Sequence, residues 1–438
     1  STPIKSSAAS DVYKRQVVEQ LTGDTNVKVV VEPIASHITK FNVKQKIVDN
    51  SWADPVDMTT GAYTDQVPAM SVTGESPLTL NLNYNSLNAS EKGQLGYGWS
   101  HDFEAYLDVK STVINVHWNP TAYSSFVDER SATRNVNGEI IDGRLVLHKP
   151  NDTGVKNYVC ISSGMSEYFM SRDENNIYTL EIPDGQKYVF DSDGKLIQII
   201  QPNEKTVTLE HIGNTTVITE DVSGAKLVLN YNDSGLLTSV GDGNGRITSI
   251  TYENDLIKSV TNPLGETVVY TYDANNRLVT SALDGNSPYV TNTYDEEGRV
   301  LTQDDADPDT PLSYFSYSES ENNEFIVDGI DRNGNTVKYV SDGMGHLLSV
   351  TDQNNNTVKY SYDLKGNLLD ETTADGKTTV YTYDDDNNLI KVKDPSGYVT
   401  VMTYDGNGNI LTVTGPNGET NSYTYNVKNL LETQTEYT

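Results

Sequence analysis

A tyrosine followed by an acidic residue or asparagine recurs at intervals of about 21 residues, and this period constrains the fold more than any other feature. The intervals are 21, 20 and 22 residues between positions 231 and 294, and 21 residues each time from position 362 to position 425. A fixed period of this size is typical of repeat architectures, in which each unit buries its apolar face against its neighbours. The residues that define the repeats are Tyr231, Tyr252, Tyr272, Asp273, Tyr294, Asp295, Tyr362, Asp363, Gly366, Tyr383, Asp384, Tyr404, Asp405, Gly408 and Tyr425.

One unit in the middle of the array shows how the period arises. Val358, Tyr360 and Tyr362 alternate with polar residues, so an extended strand places their side chains on one face. Residues 363–367 (DLKGN) have the composition of a turn, and residues 368–372 are expected to form the returning strand. A second turn, which contains proline in several related units, leads into the next unit. Two strands and two turns per unit predict an all-β antiparallel meander.

The consensus of the units, roughly Tyr-x-Tyr-Asp-x-x-Gly-Asn/Arg-Leu-x-x-Val-x-Asp-Pro-x-Gly-x-Thr, closely resembles the Rhs/YD-repeat family. Residues 381–404 (YTYDDDNNLIKVKDPSGYVTVMTY) carry it in full, residues 270–280 (YTYDANNRLVT) carry its first half, and the rest of 169–437 follows it more loosely. Three further blocks resemble, in the expected order, the domain that precedes the repeats in Rhs proteins: residues 54–61 (DPVDMTTG), 80–86 (LNLNYNS) and 95–101 (LGYGWSH).

These blocks predict three parts of the chain: a leader or linker at residues 1–50, an Rhs-associated N-terminal β domain at 51–168, and the repeat array at 169–438. Within the first 16 residues, the segment SSAASDVYKRQ resembles a translated sequencing-adapter junction, so we expect these residues to be non-native. The last residues lie inside a unit that has no capping repeat after it, so we expect the array to be truncated at its C-terminus.

The charge and cysteine content argue against several partners and sites. The chain has 62 acidic and 31 basic residues, a net charge of -31 that repels phosphate backbones, so no nucleic-acid partner is expected. No apolar run is long enough for a transmembrane helix, so the chain is not expected to span a membrane. Cys160 is the single cysteine, which excludes an intrachain disulfide and a multi-cysteine zinc site.

No residue pattern singles out a catalytic site. Carboxylates recur in every unit, whereas acid–base catalysis needs one pair that is set apart by burial and separation. The six histidines are scattered, Ser166 lacks the second glycine of a nucleophile elbow, and Cys160 is expected to be a small buried hydrophobe. The loops at 191–194 and 405–409 have alternating oxygen donors but lack the bidentate Glu of a calcium loop, and turn formation explains them better. We therefore predict no enzyme, no cofactor and no specific metal site.

The family resemblance implies a large β-sheet that spirals into a hollow shell. In this family the shell encloses a C-terminal toxin or, in animal relatives, forms a cell-surface adhesion module. The implied function is a non-catalytic scaffold of a secreted or surface protein, and the implied partner is a C-terminal toxin or effector of the same parent polypeptide. The repeated tyrosines are then expected to pack in the core with their hydroxyl groups satisfied at the rim, and the aspartates to cap turns.

A binding module is the alternative to a scaffold. In that case exposed tyrosine and aspartate side chains would recognise glycans or a cell-wall polymer. Aromatic residues on the solvent face of consecutive repeats would favour this alternative over the scaffold.

Overall fold

The computed structural model describes residues 51–52, 55–73, 77–110, 113–119, 123–128, 133–134, 140–142, 156–160, 168–182, 185–201, 205–304, 313–331, 333–343, 345–363, 366–426 and 431–435. Within these residues the regular secondary structure consists of β-strands, with one 3₁₀ turn at Ser86–Asn88 and no α-helix. The predicted all-β fold class is confirmed. None of the helical structure in these residues is long or apolar enough to span a membrane.

The first strands form small sheets of two or three members. The strands are β1 (Ser51–Trp52), β2 (Val56–Asp57), β3 (Thr64–Val72), β4 (Leu78–Asn85), β5 (Lys92–Gly93), β6 (Gly96–Tyr97) and β7 (Trp99–His101). β3, β4 and β7 make one sheet, while β1 pairs with β2 and β5 pairs with β6. We call the described residues from 55 to 105 the N-terminal unit.

All later strands except one small hairpin belong to a single antiparallel sheet. Before residue 225 these strands are β8 (Tyr106–Val109), β9 (Val113–His117), β10 (Tyr123–Asp128), β13 (Lys156–Cys160), β14 (Phe169–Arg172), β15 (Tyr178–Glu181), β16 (Lys187–Phe190), β17 (Leu196–Ile200), β18 (Thr206–Ile212) and β19 (Thr215–Glu220). The separate hairpin consists of β11 (Thr133–Arg134) and β12 (Ile140–Asp142).

The sheet continues in sequence order through the Tyr-Asp units. These strands are β20 (Lys226–Tyr231), β21 (Leu237–Gly241), β22 (Ile247–Glu253), β23 (Leu256–Thr261), β24 (Thr267–Tyr272), β25 (Leu278–Leu283), β26 (Val290–Tyr294), β27 (Val300–Asp304), β28 (Ser313–Glu319), β29 (Phe325–Ile330), β30 (Thr336–Ser341), β31 (Leu347–Thr351), β32 (Thr357–Tyr362), β33 (Leu368–Thr372), β34 (Thr378–Tyr383), β35 (Leu389–Lys393), β36 (Val399–Tyr404), β37 (Ile410–Thr414), β38 (Thr420–Tyr425) and β39 (Leu431–Thr435). This confirms the antiparallel meander of two strands per unit.

The beginning of the sheet curves back onto itself. The Leu107 N–H donates to the Gly194 carbonyl at 2.8 Å, and an isolated bridge joins Tyr106 to Lys195. β8 therefore meets the turn between β16 and β17 after the sheet has run through β9, β10 and β13 to β16. The sheet already includes residues from Tyr106 onward, and the division at residue 168 stays a prediction.

A β-bulge opposite the tyrosine sets the geometry of the repeat hairpins. In one unit Thr271 pairs with Thr280 but Tyr272 pairs with Leu278, so Val279 is the extra residue. The same shift occurs at the tyrosines of the later hairpins, which are Tyr294, Tyr362, Tyr383, Tyr404 and Tyr425. A bulge increases the local twist and changes the direction of the backbone N–H and carbonyl groups of the residue beside it, so these groups can bond partners outside the sheet.

The two faces of the sheet differ in chemistry. The face that carries the tyrosines packs into a large apolar cluster that extends from the N-terminal unit to Leu347, and then into a second cluster of Leu368, Tyr381, Leu389 and Met402. The opposite face carries hydrogen-bonded threonine pairs across neighbouring strands: Thr271–Thr280, Thr293–Thr302, Thr403–Thr412 and Thr424–Thr433. The apolar face is therefore the one that the alternation in the sequence indicates.

Candidate functional site

In five of the Tyr-Asp units the tyrosine hydroxyl joins its own unit to the preceding one. The Tyr404 hydroxyl donates to the Leu389 carbonyl at 2.7 Å, and Leu389 is itself the residue that pairs with Tyr383 beside the bulge. The same bond links Tyr425 to Ile410 at 2.9 Å. Burial raises the pKa of Tyr425 to about 12, so this phenol remains a neutral hydrogen-bond donor at all physiological pH values.

The remaining tyrosines that the sequence singles out occupy the same face. Tyr252 and Tyr272 donate to Leu237 and Ile257 at 2.6 and 2.9 Å, and Tyr294 donates to Leu278. Half-buried tyrosines pack on the large cluster in the first part of the array and on the second cluster afterwards: Tyr231, Tyr252, Tyr272 and Tyr294, then Tyr362, Tyr383 and Tyr404. The array thus brings the predicted tyrosines into one continuous ladder.

The aspartate that follows the tyrosine caps the turn of its own hairpin. In one unit the Asp384 Oδ1 atom accepts the backbone N–H groups of Asp386 at 3.0 Å and Asn388 at 2.8 Å, while Oδ2 accepts the Asn388 side-chain amide at 2.9 Å. The carboxylates of Asp363 and Asp405 bind their own turns in the same way. These carboxylate oxygens are occupied by donors of the turn, which is the local role expected of Asp in such positions.

Arginine replaces asparagine at the end of two turns and adds a contact between units. Arg277 pairs with Asp273 at 2.7 Å, and its guanidinium lies 5.2 Å from the ring centre of Tyr294 in the next unit. Arg299 pairs with Asp295 at 2.6 Å in the equivalent position. The predicted residues Asp273 and Asp295 therefore position a cation over an aromatic ring as well as capping a turn.

The N-terminal unit lies along the tyrosine face and contacts the backbone beside the bulges. The N–H groups of Leu237, Leu278 and Val300 donate to the Gln94 carbonyl at 2.8 Å, the Tyr84 hydroxyl at 2.7 Å and the Gly61 carbonyl at 2.9 Å, respectively. Each of these donors is the residue that pairs with a tyrosine at a bulge. The pattern of the sequence did not reveal this use of the bulge, because the donors on the repeats are main-chain N–H groups and two of the three acceptors are main-chain carbonyls.

An aromatic cluster joins the N-terminal unit to the repeats. The ring centre of the fully buried Trp99 is 5.2 Å from that of Tyr84 and 5.3 Å from that of Tyr270. The Trp99 indole N–H donates to the Tyr272 hydroxyl at 3.0 Å. Gly98 has a φ of +75°, and a Cβ atom there would lie 2.6 Å from the Tyr84 ring. The glycine and tryptophan of the block at 95–101 are therefore both required by this close packing.

The other candidate residues do not assemble into a reactive site. His211 bonds Thr216 and the Leu196 carbonyl, His346 bonds Asp342, and Cys160 is buried in β13. Residues 1–50, with His37, and the positions of His148 and Ser166 lie outside the described residues. In the part of the chain that the structure describes, no group of three His, Cys, Asp or Glu side chains is placed to hold a metal ion.

Two family models match the chain. The model of the RHS repeat matches residues 252–289, 342–378, 362–400 and 383–420. A domain of unknown function, DUF6531, matches residues 53–124, which include the N-terminal unit.

One curated relative and several solved structures are similar to the chain. Double-stranded DNA deaminase toxin A of Burkholderia cenocepacia (strain H111) is 25% identical over 289 residues, which cover 59% of this chain and 18% of that protein. The match to the crystal structure of TcdB2-TccC3-TEV has a TM-score of 0.38 at 12% identity and covers 89% of this chain and 25% of that chain. The match to the structure of the Photorhabdus luminescens Tc holotoxin pore has a TM-score of 0.33 at 10% identity and covers 82% of this chain and 22% of that chain. The chain thus spans less than a fifth of the curated relative.

Proposed function

Because this chain is an Rhs/YD-repeat protein, we propose that it is a non-catalytic scaffold, part of the wall of a β-shell. The shell would belong to a secreted or surface protein and would enclose or present a C-terminal effector of the same polypeptide. The observation that carries the proposal is the single continuous sheet whose tyrosine face turns toward the chain's own N-terminal unit.

The contacts of the repeat residues support a structural role. The hydroxyl groups of five repeat tyrosines bond the neighbouring unit, and the aspartate carboxylates bond their own turns. Groups that already have such partners are poorly suited to bind a substrate, because each new contact would cost an existing hydrogen bond. The effector itself is suggested by the curated relative, whose name identifies that protein as a toxin.

The exposed aromatic residues weigh against the glycan-binding alternative. The most exposed tyrosines of the described array are Tyr289, Tyr314 and Tyr398. They lie in a loop, in β28 and in a turn before β36, so they do not form a row on consecutive repeats. A row of exposed rings is what stacking on a polymer of sugars would require.

The enclosing role can be tested with the coding sequence that follows residue 438. The downstream polypeptide is expressed alone and joined to this chain, and its cleavage by a nonspecific protease is followed in both forms. We expect cleavage to be at least tenfold slower when the chain is present, since opening must precede cutting. Equal cleavage rates, or a gene in which no downstream domain follows, would refute the enclosing role.

The non-catalytic and glycan-free parts of the proposal need separate assays. The purified chain is screened for esterase, peptidase, glycosidase, nuclease and DNA deaminase turnover, and for binding to glycan arrays and isolated cell walls. We expect no turnover and no saturable binding. Turnover that disappears on a single substitution, or a glycan bound more weakly after Tyr398→Ala, would show that a reactive or lectin site exists.

A further inference from the structure

A buried acid and a buried histidine lie where the N-terminal unit meets the first Tyr-Asp units. Glu104 and His101 are each only 4% exposed, and their side chains approach to 3.9 Å between Nε2 and Oε2. Oε2 of Glu104 also accepts the His101 backbone N–H at 3.3 Å, whereas Oε1 is buried without a hydrogen-bond partner among the described residues. A carboxylate in such a position would be poorly stabilised.

The hydrogen bonds of His101 fix it in the neutral form. Its Nδ1 atom accepts the Phe103 backbone N–H at 3.2 Å, so Nδ1 carries no proton, and Nε2 faces the Gln94 side-chain oxygen at 3.1 Å as a donor. Protonation of the ring would place a proton on Nδ1 against the Phe103 N–H. Burial accordingly lowers the pKa of His101 to about 3. His101 therefore cannot supply a positive charge to Glu104 while this arrangement persists.

Among the described residues, the other ionisable groups that interact with Glu104 are tyrosines. Tyr231 and Tyr252 face it from β20 and β22, and Tyr106 faces it from β8. A phenol is neutral or anionic, so none of the three can be a positive counter-charge to Glu104, and burial raises their pKa values, which keeps them neutral at neutral pH. Burial also raises the pKa of Glu104 to about 8. The environment thus favours the uncharged carboxylic acid.

His101 and Glu104 lie next to the hydrogen bonds that join the N-terminal unit to the repeats. Gln94, whose side chain faces His101, accepts the Leu237 N–H with its backbone carbonyl at 2.8 Å. The Leu237 carbonyl in turn accepts the Tyr252 hydroxyl at 2.6 Å. Water that entered to solvate an ionised Glu104 would have to separate this seam of the N-terminal unit from β20 to β22.

We propose that Glu104 is a proton-controlled latch: the N-terminal unit stays docked on the repeats while the carboxyl group is protonated, and it loosens when the carboxyl ionises at alkaline pH. This inference does not depend on the proposed shell function. It concerns only the contact between two parts of this chain.

The expected size follows from proton linkage. Glu104 has a pKa of about 8 when docked and an ordinary value when solvated, so docking weakens as the pH rises toward 8. His101 has the opposite effect below its ordinary pKa, because the open state then binds the extra proton. The two effects cancel between about pH 5 and 6, and above that range Glu104 dominates. The opening equilibrium should therefore rise about 20-fold between pH 6 and pH 9.

Hydrogen exchange of the full chain provides the test. The protection factor of the Leu237 amide, corrected for the intrinsic pH dependence of exchange, reports the opening of its bond to Gln94. We expect protection at Leu237 to fall about 20-fold from pH 6 to pH 9, while the Asp405 amide in a distant turn does not change. Glu104→Gln should remove the fall above pH 7, because glutamine stays neutral. The exposed Glu91→Gln is the matched control and should behave as the wild type.

Two results would overturn the latch. One is constant wild-type protection at Leu237 from pH 6 to pH 9. The other is a fall of the same size in Glu104→Gln. Glu104→Met is prepared in parallel as a second uncharged variant. If neither variant folds, the pH dependence of wild-type protection at Leu237 decides. A fall with its midpoint between pH 7 and 9 supports the latch, and the absence of a fall refutes it.

Discussion

The Tyr404→Phe substitution tests whether the tyrosine ladder holds neighbouring repeats together. It removes one hydroxyl group and leaves the ring, which packs on the second apolar cluster, in place. The lost bond is the one that Tyr404 donates to the Leu389 carbonyl at 2.7 Å. Because Leu389 is only 5% exposed, water cannot readily replace the missing donor.

The expected cost follows from this geometry. A typical hydrogen bond contributes about 1 kcal/mol, and leaving a buried acceptor unsatisfied raises the cost toward 2 kcal/mol. Tyr404 is half-buried, so we expect about 1 kcal/mol for Tyr404→Phe. Tyr404→Ala also loses the ring contacts and should cost about 3 kcal/mol. Tyr398→Phe is the matched control: the same chemical change on a ring that is 55% exposed should cost less than about 0.3 kcal/mol.

Local hydrogen exchange is the appropriate assay, because repeat arrays do not unfold as a single two-state unit. Protection factors of amides in β35 and β37 should fall about fivefold in Tyr404→Phe, which corresponds to about 1 kcal/mol, and should stay unchanged in Tyr398→Phe. Equal and small effects of the two substitutions would mean that the ladder hydroxyls do not stabilise the array. The scaffold proposal would then lose its main energetic support.

Two further predictions concern the turns and the interface. Calcium and magnesium should raise the melting temperature equally and weakly. Asp405→Ala should not remove this effect, because the Asp405 carboxylate already accepts the N–H groups of Asn407 and Asn409. Selective stabilisation by micromolar calcium in a thermal melt would contradict this prediction. Gly98→Ala should lower the free energy of unfolding by more than about 3 kcal/mol in chemical denaturation, because φ is positive there and the added Cβ would clash with Tyr84. Gly397→Ala, where φ is also positive but the space is open, should cost about 1 kcal/mol. Equal costs would argue against the close packing at Gly98.

The repeat hairpins were predictable because their determinants are local. The alternation of Val358, Tyr360 and Tyr362 predicts a strand with one apolar face, and the structure has β32 at Thr357–Tyr362. The residues after Tyr362 predict a turn, and Asp363 accepts the Asn367 N–H at 2.9 Å. Alternation with period two and turn chemistry both act over a few residues, so a single sequence contains the information.

The docking of the N-terminal unit was not predictable from the same sequence. Gln94 and Leu237 are 143 positions apart, and their bond joins main-chain atoms that every residue possesses. The block at 95–101 resembles the family, yet nothing in its spacing places Trp99 against Tyr270 or indicates that His101 and the nearby Glu104 are buried. Long-range packing decides such contacts, and the burial that perturbs Glu104 is visible only after folding.

The bulge explains how one repeated residue serves two neighbours. At Leu237 the carbonyl accepts the hydroxyl of Tyr252 from the next unit, while the N–H donates to Gln94 of the N-terminal unit. In a regular strand the N–H and carbonyl groups of such a residue would bond the neighbouring strand, whereas the bulge leaves them available for other partners. Since Leu278 and Val300 use their N–H groups in the same way, the N-terminal unit binds the backbone of the repeats and tolerates different side chains there. Side chains can therefore vary at these three positions as long as the bulge remains, because the backbone N–H that contacts the N-terminal unit is present in any residue except proline.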